Sequence, residues 1–369
     1  MDLVCISHLR WDFVFQRPQH LLTRAARHRR VFYVEEPQTI EADEPALTIR
    51  ALSPRLTVVV PQIPPSATRG ERNAMQADLL DELLSDHDIV DFALWLYTPM
   101  ALEFTGRLAP STVIYDCMDE LSAFANAPQD LVTLESALFS KADVVFTGGH
   151  TLYESKRAKH PNVHAFPSSV DVAHFSRARR CHLDPEDQRA IAHPRIGFFG
   201  VIDERMDYDL LAAVAAARPD WQLILIGPIA KVDPAALPRA ANLHYLGPKS
   251  YSVLPDYIGH WDVAMLPFAL NDATRFISPT KTPEYLAGGL PVVSTPITDV
   301  VRPYGERGLA RIASTPDRFV AAIDDALNGD REQHRSHADA FLQHMSWDRT
   351  WTGMWDQVER VRERRLTRV

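Results

Sequence analysis

Cysteine is scarce in this chain: only Cys5, Cys117 and Cys181 occur, far apart and odd in number. They build neither a disulfide framework nor a zinc-ligand spacing, so a reducing compartment is the expectation. Long apolar runs are missing too, and no stretch reaches the roughly 18–20 residues a membrane span requires. The opening run Leu3-Val4-Cys5-Ile6 lacks the basic flank and longer apolar core of a secretion signal, which points to a soluble, cytoplasmic protein. Positive charge is not in excess. A formal net charge of -9 argues against a protein that coats nucleic acid. No G-x-G-x-x-G opens either half, which lowers a nicotinamide-dehydrogenase reading.

What is present is the composition of a soluble globular protein, 46% hydrophobic and 24% charged over 369 residues, enough for two domains of about 150–200 residues. Short apolar runs alternate with amphipathic stretches, the pattern of βα units around parallel sheets. Strands are expected at 3–7, 30–34, 56–61, 92–97, 112–116, 144–147 and 163–165, with helices at 16–27 and 131–140 and no hairpin signature. Residues 176–194 are polar and aperiodic and read as a linker. The alternation then restarts, with strands at 195–199, 221–226, 243–245, 263–266 and 292–294 and helices at 208–217 and 317–327. One long helix is expected over 347–368. The fold class is therefore α/β, with two Rossmann-like domains: residues 1–178, residues 195–345, and a terminal helix at 346–369.

The segment 261–296 carries the clearest chemistry. A buried strand, VAML, leads into a polar loop, then a helix, then the strand PVVST. Pro283 is tolerated only in a first helical turn, so the helix begins near Thr280–Thr282 with a threonine as N-cap. Backbone N–H groups and a partial positive charge then face the carboxyl end of a strand, a geometry that accepts phosphate. Lys281 adds a full charge that opposes the helix dipole, which suits an anionic ligand better than helix stability. Glu284, one short turn in, is placed to accept both hydroxyls of a ribose. The plainer alternative is a carboxylate complementing the helix N-terminus beside a solvated lysine.

Other candidates sit at strand ends. Arg17, Gln19 and His20 follow the first strand, either as contacts to an acceptor or a donor phosphate, or as a helix cap with His20 packed on the sheet. Asp116 and Asp119 end the apolar run VIYDCMD, where one could orient an acceptor hydroxyl or take its proton. A metal reading is weak because D-x-x-D lacks the compact D-x-D spacing, and turn capping by Asp119 is the structural alternative. Arg205 could neutralise a diphosphate. Lys249 is either a donor contact or a surface lysine. Basic clusters at 24–30 and 360–368 are solvated faces or a contact with an anionic membrane surface.

The pattern P-x-K-x-x-E-Y-L-A-x-G-x-P-V-V resembles the donor-binding segment of GT-B glycosyltransferases of the family 4-like kind. WDFVFQRPQHL (11–21), FYVEEP (32–37), YDCMDE (115–120), FPSSVDVAHF (166–175) and NLHYLGPKSYSVLPDYI (242–258) further resemble the teichuronic-acid or exopolysaccharide type within that family. The resemblance implies that the terminal helix returns to the first domain, with donor on the second domain and acceptor on the first. It implies retention of configuration without a metal or cofactor, and a nucleoside-diphosphate sugar, UDP first, as co-substrate. Glu284 would hold the ribose, with Thr280, Lys281 and Thr282 near the phosphates and Gly200 of GFFG where the backbone approaches the donor. The acceptor would be a glycan or lipid-linked molecule, reached from the inner membrane face. The family carries a glutamate eight positions before Glu284; here Phe276 stands there, with Asn271 and Thr274 as polar substitutes. A nucleotide-sugar epimerase of this fold and a non-catalytic nucleotide-sugar-binding subunit are the rival readings.

Overall fold

The computed structural model describes residues 1–41, 43–124 and 127–367. The chain divides into two units, one of Met1–Pro167 with Asp348–Val369 and one of Ser168–Trp347.

Unit 1 is built on a sheet of nine strands: β1 (Asp2–Ile6), β2 (Val31–Val34), β3 (Gln38–Thr39), β4 (Ala46–Ser53), β5 (Leu56–Ile63), β6 (Phe92–Leu96), β7 (Thr112–Cys117), β8 (Val144–Thr147) and β9 (Val163–Ala165). Their order is β3-β5-β2-β1-β6-β7-β8-β9, with β4 on β5. The central strands are continuous apolar runs such as VCI, FALWL and VVFT, as burial on both faces of a parallel sheet demands. The terminal helix Trp347–Leu366 presents Trp351, Met354, Trp355 and Val358 at helical spacing, and all four are buried. Trp351 stacks on Trp95 with ring centroids 6.0 Å apart.

Unit 2 has six strands, β10 (Arg195–Phe199), β11 (Gln222–Ile226), β12 (Leu243–Tyr245), β13 (Val263–Leu266), β14 (Val292–Ser294) and β15 (Ala310–Ile312). Their order is β12-β11-β10-β13-β14-β15, all parallel. The order reverses between β10 and β13, the switch point outside whose carboxyl ends such sheets bind ligands.

Three features depart from the sequence reading. A hairpin is present, with β4 running antiparallel to β5. Its strand ALTIRALS is exposed almost throughout, so no alternation of buried and solvated faces marks it. Residues 176–194 form no spacer between the units but belong to unit 2. There Gln188 is fully buried, taking Trp261 Nε1–H at 2.8 Å and donating to Tyr257 O at 3.1 Å. β15 and a helix at Arg331–Leu342 are additional elements. Among the described residues no helix is long and apolar enough to cross a membrane.

Candidate functional site

The site in unit 2 starts where β10 ends. Gly200 takes φ +147° and Gly227, after β11, takes φ +150°. A Cβ on Gly227 would sit 1.7 Å from Gly200 O, so only glycine permits the two turns to touch. A Cβ on Gly200 would meet Lys281 Cε at 2.1 Å: the lysine stem lies directly over this turn. Gly197, the other glycine of GFFG, lies inside β10, where the Trp261 ring covers it at 2.1 Å from a would-be Cβ. Its reason is packing, and it stands outside the turn.

The helix Lys281–Gly288 brings the remaining groups to this edge. Tyr285, one residue past Glu284, accepts Phe199 N–H on its hydroxyl at 2.9 Å and so fixes the helix to the end of β10. Thr280 occupies the N-cap position with a helical backbone, and its side chain caps nothing. Thr282 is buried, and its Oγ1 has no hydrogen-bond partner, a state that costs about 1–3 kcal/mol. Glu284 is 5% exposed. Burial pushes its carboxyl up to about 8, against the opposing pull of Lys281. A helix start, a lysine and a buried carboxyl thus meet at the switch point of unit 2.

Elsewhere in unit 2 the expected contacts are already spent within the protein. Arg205 is clamped by Asp203, with Nε 2.9 and 3.1 Å from its two oxygens and Nη2 at 2.7 Å. Lys249 Nζ lies 2.5 Å from Asp187, a residue of the 176–194 stretch, and 5.4 Å from the Tyr257 ring centroid. Asn271 and Thr274 cap one another: each backbone N–H reaches the other's side-chain oxygen at 3.1 Å. Asn271 Nδ2 also donates to Glu204 O at 3.4 Å, and Ala269 N–H to Arg205 O at 2.8 Å. These two residues therefore shape the loop after β13 and tie it to the loop after β10. Both line a cavity of about 310 Å³ closed by Pro296–Thr298. Phe276 is half-buried, with the Arg275 guanidinium 5.2 Å from its ring centre.

In unit 1 the sequence reading needs correction at three residues. Arg17 and Asp116 are both buried and bind each other: Nε lies 3.1 and 3.0 Å from the carboxylate oxygens and Nη2 at 2.9 Å. Arg17 Nη1 also donates to Phe166 O at 2.7 Å. Gln19 is buried, completes a capping box with Gln16, and donates to Trp11 O and Val14 O at 2.7 and 3.0 Å. Gln19 is spent on the loop between β1 and its helix, while Arg17 and Asp116 tie the start of that helix to β7. His20 is buried edge-on to Phe15, ring centroids 4.7 Å apart. Asp119 is half-buried beyond β7; against desolvation of the Arg17 guanidinium, Asp116 chiefly and Asp119 least raise its pKa.

Several arginines of the basic clusters also find partners within unit 1, although Arg27 and Arg365 stay more than half exposed. Arg24 and Arg27 hold Asp348 at 3.0 and 2.5 Å, Arg29 covers Trp355 at 3.4 Å, and Arg365 donates to Ser111 O at 2.7 Å. Arg368 lies outside the described residues. Among the described residues no cluster of three or more histidine, cysteine or carboxylate side chains could hold a metal ion.

Residues 193–329 match the family model described as glycosyl transferases group 1. Over 262 residues the chain is 25% identical to "Putative teichuronic acid biosynthesis glycosyltransferase TuaH" of Bacillus subtilis (strain 168), covering 64% of each, less than two thirds of that relative. A sucrose-phosphate synthase from Thermosynechococcus elongatus superimposes with TM-score 0.73 at 13% identity, over 98% of both chains. A UDP-forming alpha,alpha-trehalose-phosphate synthase from Burkholderia xenovorans in complex with glucose-6-phosphate gives TM-score 0.70 at 14% identity, over 97% of this chain and 100% of the other. The fold is GT-B, with two Rossmann-like domains, and the stretch 193–329 is similar to the group 1 glycosyltransferases.

Proposed function

We propose that the protein is a glycosyltransferase that moves a sugar from a nucleoside-diphosphate sugar, with UDP as the nucleotide, to a hydroxyl of a glycan or lipid-linked acceptor. The reading includes retention of anomeric configuration, chemistry without a metal, and a role in polysaccharide or cell-envelope glycan synthesis at the cytoplasmic side of the membrane. The observation that carries it is the meeting of Gly200, Lys281, Thr282 and Glu284 at the switch point of unit 2. The group 1 family domain and the UDP-forming neighbour support it.

The chemistry follows from the charges. Lys281 and the helix N–H groups face the diphosphate, and their positive charge stabilises it as it leaves while the acceptor hydroxyl attacks the anomeric carbon. Thr282 Oγ–H finds a phosphate oxygen as its missing partner. Glu284 accepts the ribose hydroxyls. Those two donors favour its ionised form, so nucleotide binding near neutral pH releases a proton. In unit 1, Asp119 is the carboxylate proposed to orient the acceptor hydroxyl, just beyond the end of β7 that the Arg17–Asp116 pair anchors.

A thermal-shift series over nucleoside diphosphates and nucleotide sugars tests the reading, since a ligand of the folded state stabilises it by mass action. UDP should raise Tm, and Glu284→Ala should weaken UDP binding about 10-fold or more. Unchanged affinity for every nucleotide would sink the site. Phe276 favours a binding-only subunit as the second reading, which predicts UDP-sugar binding with no sugar released to any acceptor.

A further inference from the structure

A cavity of about 510 Å³ in unit 1 is used by none of the groups above. It opens at the carboxyl ends of β1 and β6, between which the strand order of this sheet reverses, and its rim continues past β2. The fourth wall is the helix Arg69–Asp86, which turns Arg69, Arg72, Asn73 and Gln76 toward it. That spacing of i, i+3, i+4 and i+7 is one helix face.

Most charges around the cavity are paired. Glu35 accepts from Trp11 N–H at 2.8 Å and Arg10 at 3.2 Å, and Arg69 bridges Glu103, at 2.9 Å, and Asp130. Arg72 differs: it is half-buried and forms no ion pair among the described residues. A guanidinium presents a planar fork suited to a carboxylate or phosphate. Asn73 beside it offers both a donor and an acceptor to hydroxyls. Met100, Ala101 and Phe104 supply an apolar wall for the carbon face of a sugar ring. The volume suits a small molecule, within the ~300–1,000 Å³ of such sites.

We infer that this cavity binds an anionic saccharide, with Arg72 on its carboxylate or phosphate and Asn73 on its hydroxyls. Its role as the acceptor subsite rests on the transferase reading; binding itself does not.

Ligand-observed NMR titrations of the full chain with glucuronic acid, glucose 6-phosphate and glucose test this. At least one anion should bind about 10-fold or more tightly than glucose, and which one does identifies the charged group. Arg72→Gln should bring that anion down to the level of glucose with Tm unchanged. Asn73→Asp, which adds a repelling carboxylate on the same wall, should weaken it as well. Equal binding of glucose and both anions, or a preference that survives Arg72→Gln, would overturn the proposal. UDP titrated in parallel keeps the two readings apart. Arg72→Gln should bind UDP as the parent does, whereas a parent that ignores UDP defeats the donor assignment and leaves the anion preference standing or falling alone.

Discussion

Arg17 with Asp116 in unit 1, and Lys281 with Glu284 in unit 2, are both cation–carboxylate sets at the carboxyl edge of a parallel sheet. In unit 1 the fork of Arg17 meets both oxygens of Asp116 and the spare N–H goes to Phe166 O. In unit 2 burial outweighs the pull of Lys281, and the Glu284 carboxyl stands at about 8. A satisfied pair holds shape. A carboxyl kept at a cost beside a buried, unpartnered threonine hydroxyl is what a ligand is needed to complete.

The largest effect expected from this contrast is loss of the unit 1 pair. Arg17→Leu leaves Asp116 buried without its partner, which costs about 3–5 kcal/mol. Chemical denaturation should show that loss. A change under about 1 kcal/mol would remove the distinction between the two sets.

The next effect lies in unit 2 and depends on pH. The Glu284 carboxyl ordinarily titrates near 4.5 and is raised to about 8 in the folded protein. Between those values the folded state keeps a proton that the unfolded state has lost, so this group lowers stability progressively as pH rises from about 4.5 to 8, and adds nothing further above. Glu284→Gln removes that slope. Its melting temperature should match the parent at pH 4 and exceed it increasingly up to pH 8, by an amount worth a few kcal/mol at most. Parallel melting curves for the two proteins across this range would show that Glu284 is ionised throughout and well accommodated.

What the sequence made legible divides along the same line. The proposed grip at 280–284 is local: a strand, a loop, a proline in the first turn and a glutamate follow one another within 263–284, and helix-start chemistry orders them. The strands β8, β10, β13 and β14 fall at their expected positions because a doubly buried apolar run has few other readings, and the half-buried edge strands β9 and β12 fall there too. The role of Arg17 was illegible because its partner is 99 residues away, and no local pattern distinguishes an arginine that faces a ligand from one that faces an aspartate. β4 escaped because it is solvated on both sides. The unit 1 cavity escaped because its polar wall comes from a helix whose spacing looks like any amphipathic surface.

Lys249 gives the comparison its finest test, inside unit 2 itself. From its place at a strand end it reads as either a donor contact or a surface lysine, whereas Lys281 is read from a helix start. Its ammonium instead meets Asp187 at 2.5 Å, and Asp187 also takes Tyr257 O–H at 2.8 Å. That carboxylate is depressed by Lys249 and Tyr257 acting against its desolvation, and the lysine is raised by Asp187. The pair is half exposed, so Coulomb attraction is screened and its loss is small. Lys249→Ala should cost about 0.2–1 kcal/mol and leave UDP affinity unchanged, while Lys281→Ala, measured beside it, should weaken UDP binding about 10-fold or more. If the two lysines weakened UDP equally, the helix start would hold no advantage over the strand end as a donor contact. If only Lys281 does, two like residues of one unit are separated by the element that carries each, a helix start against a strand end.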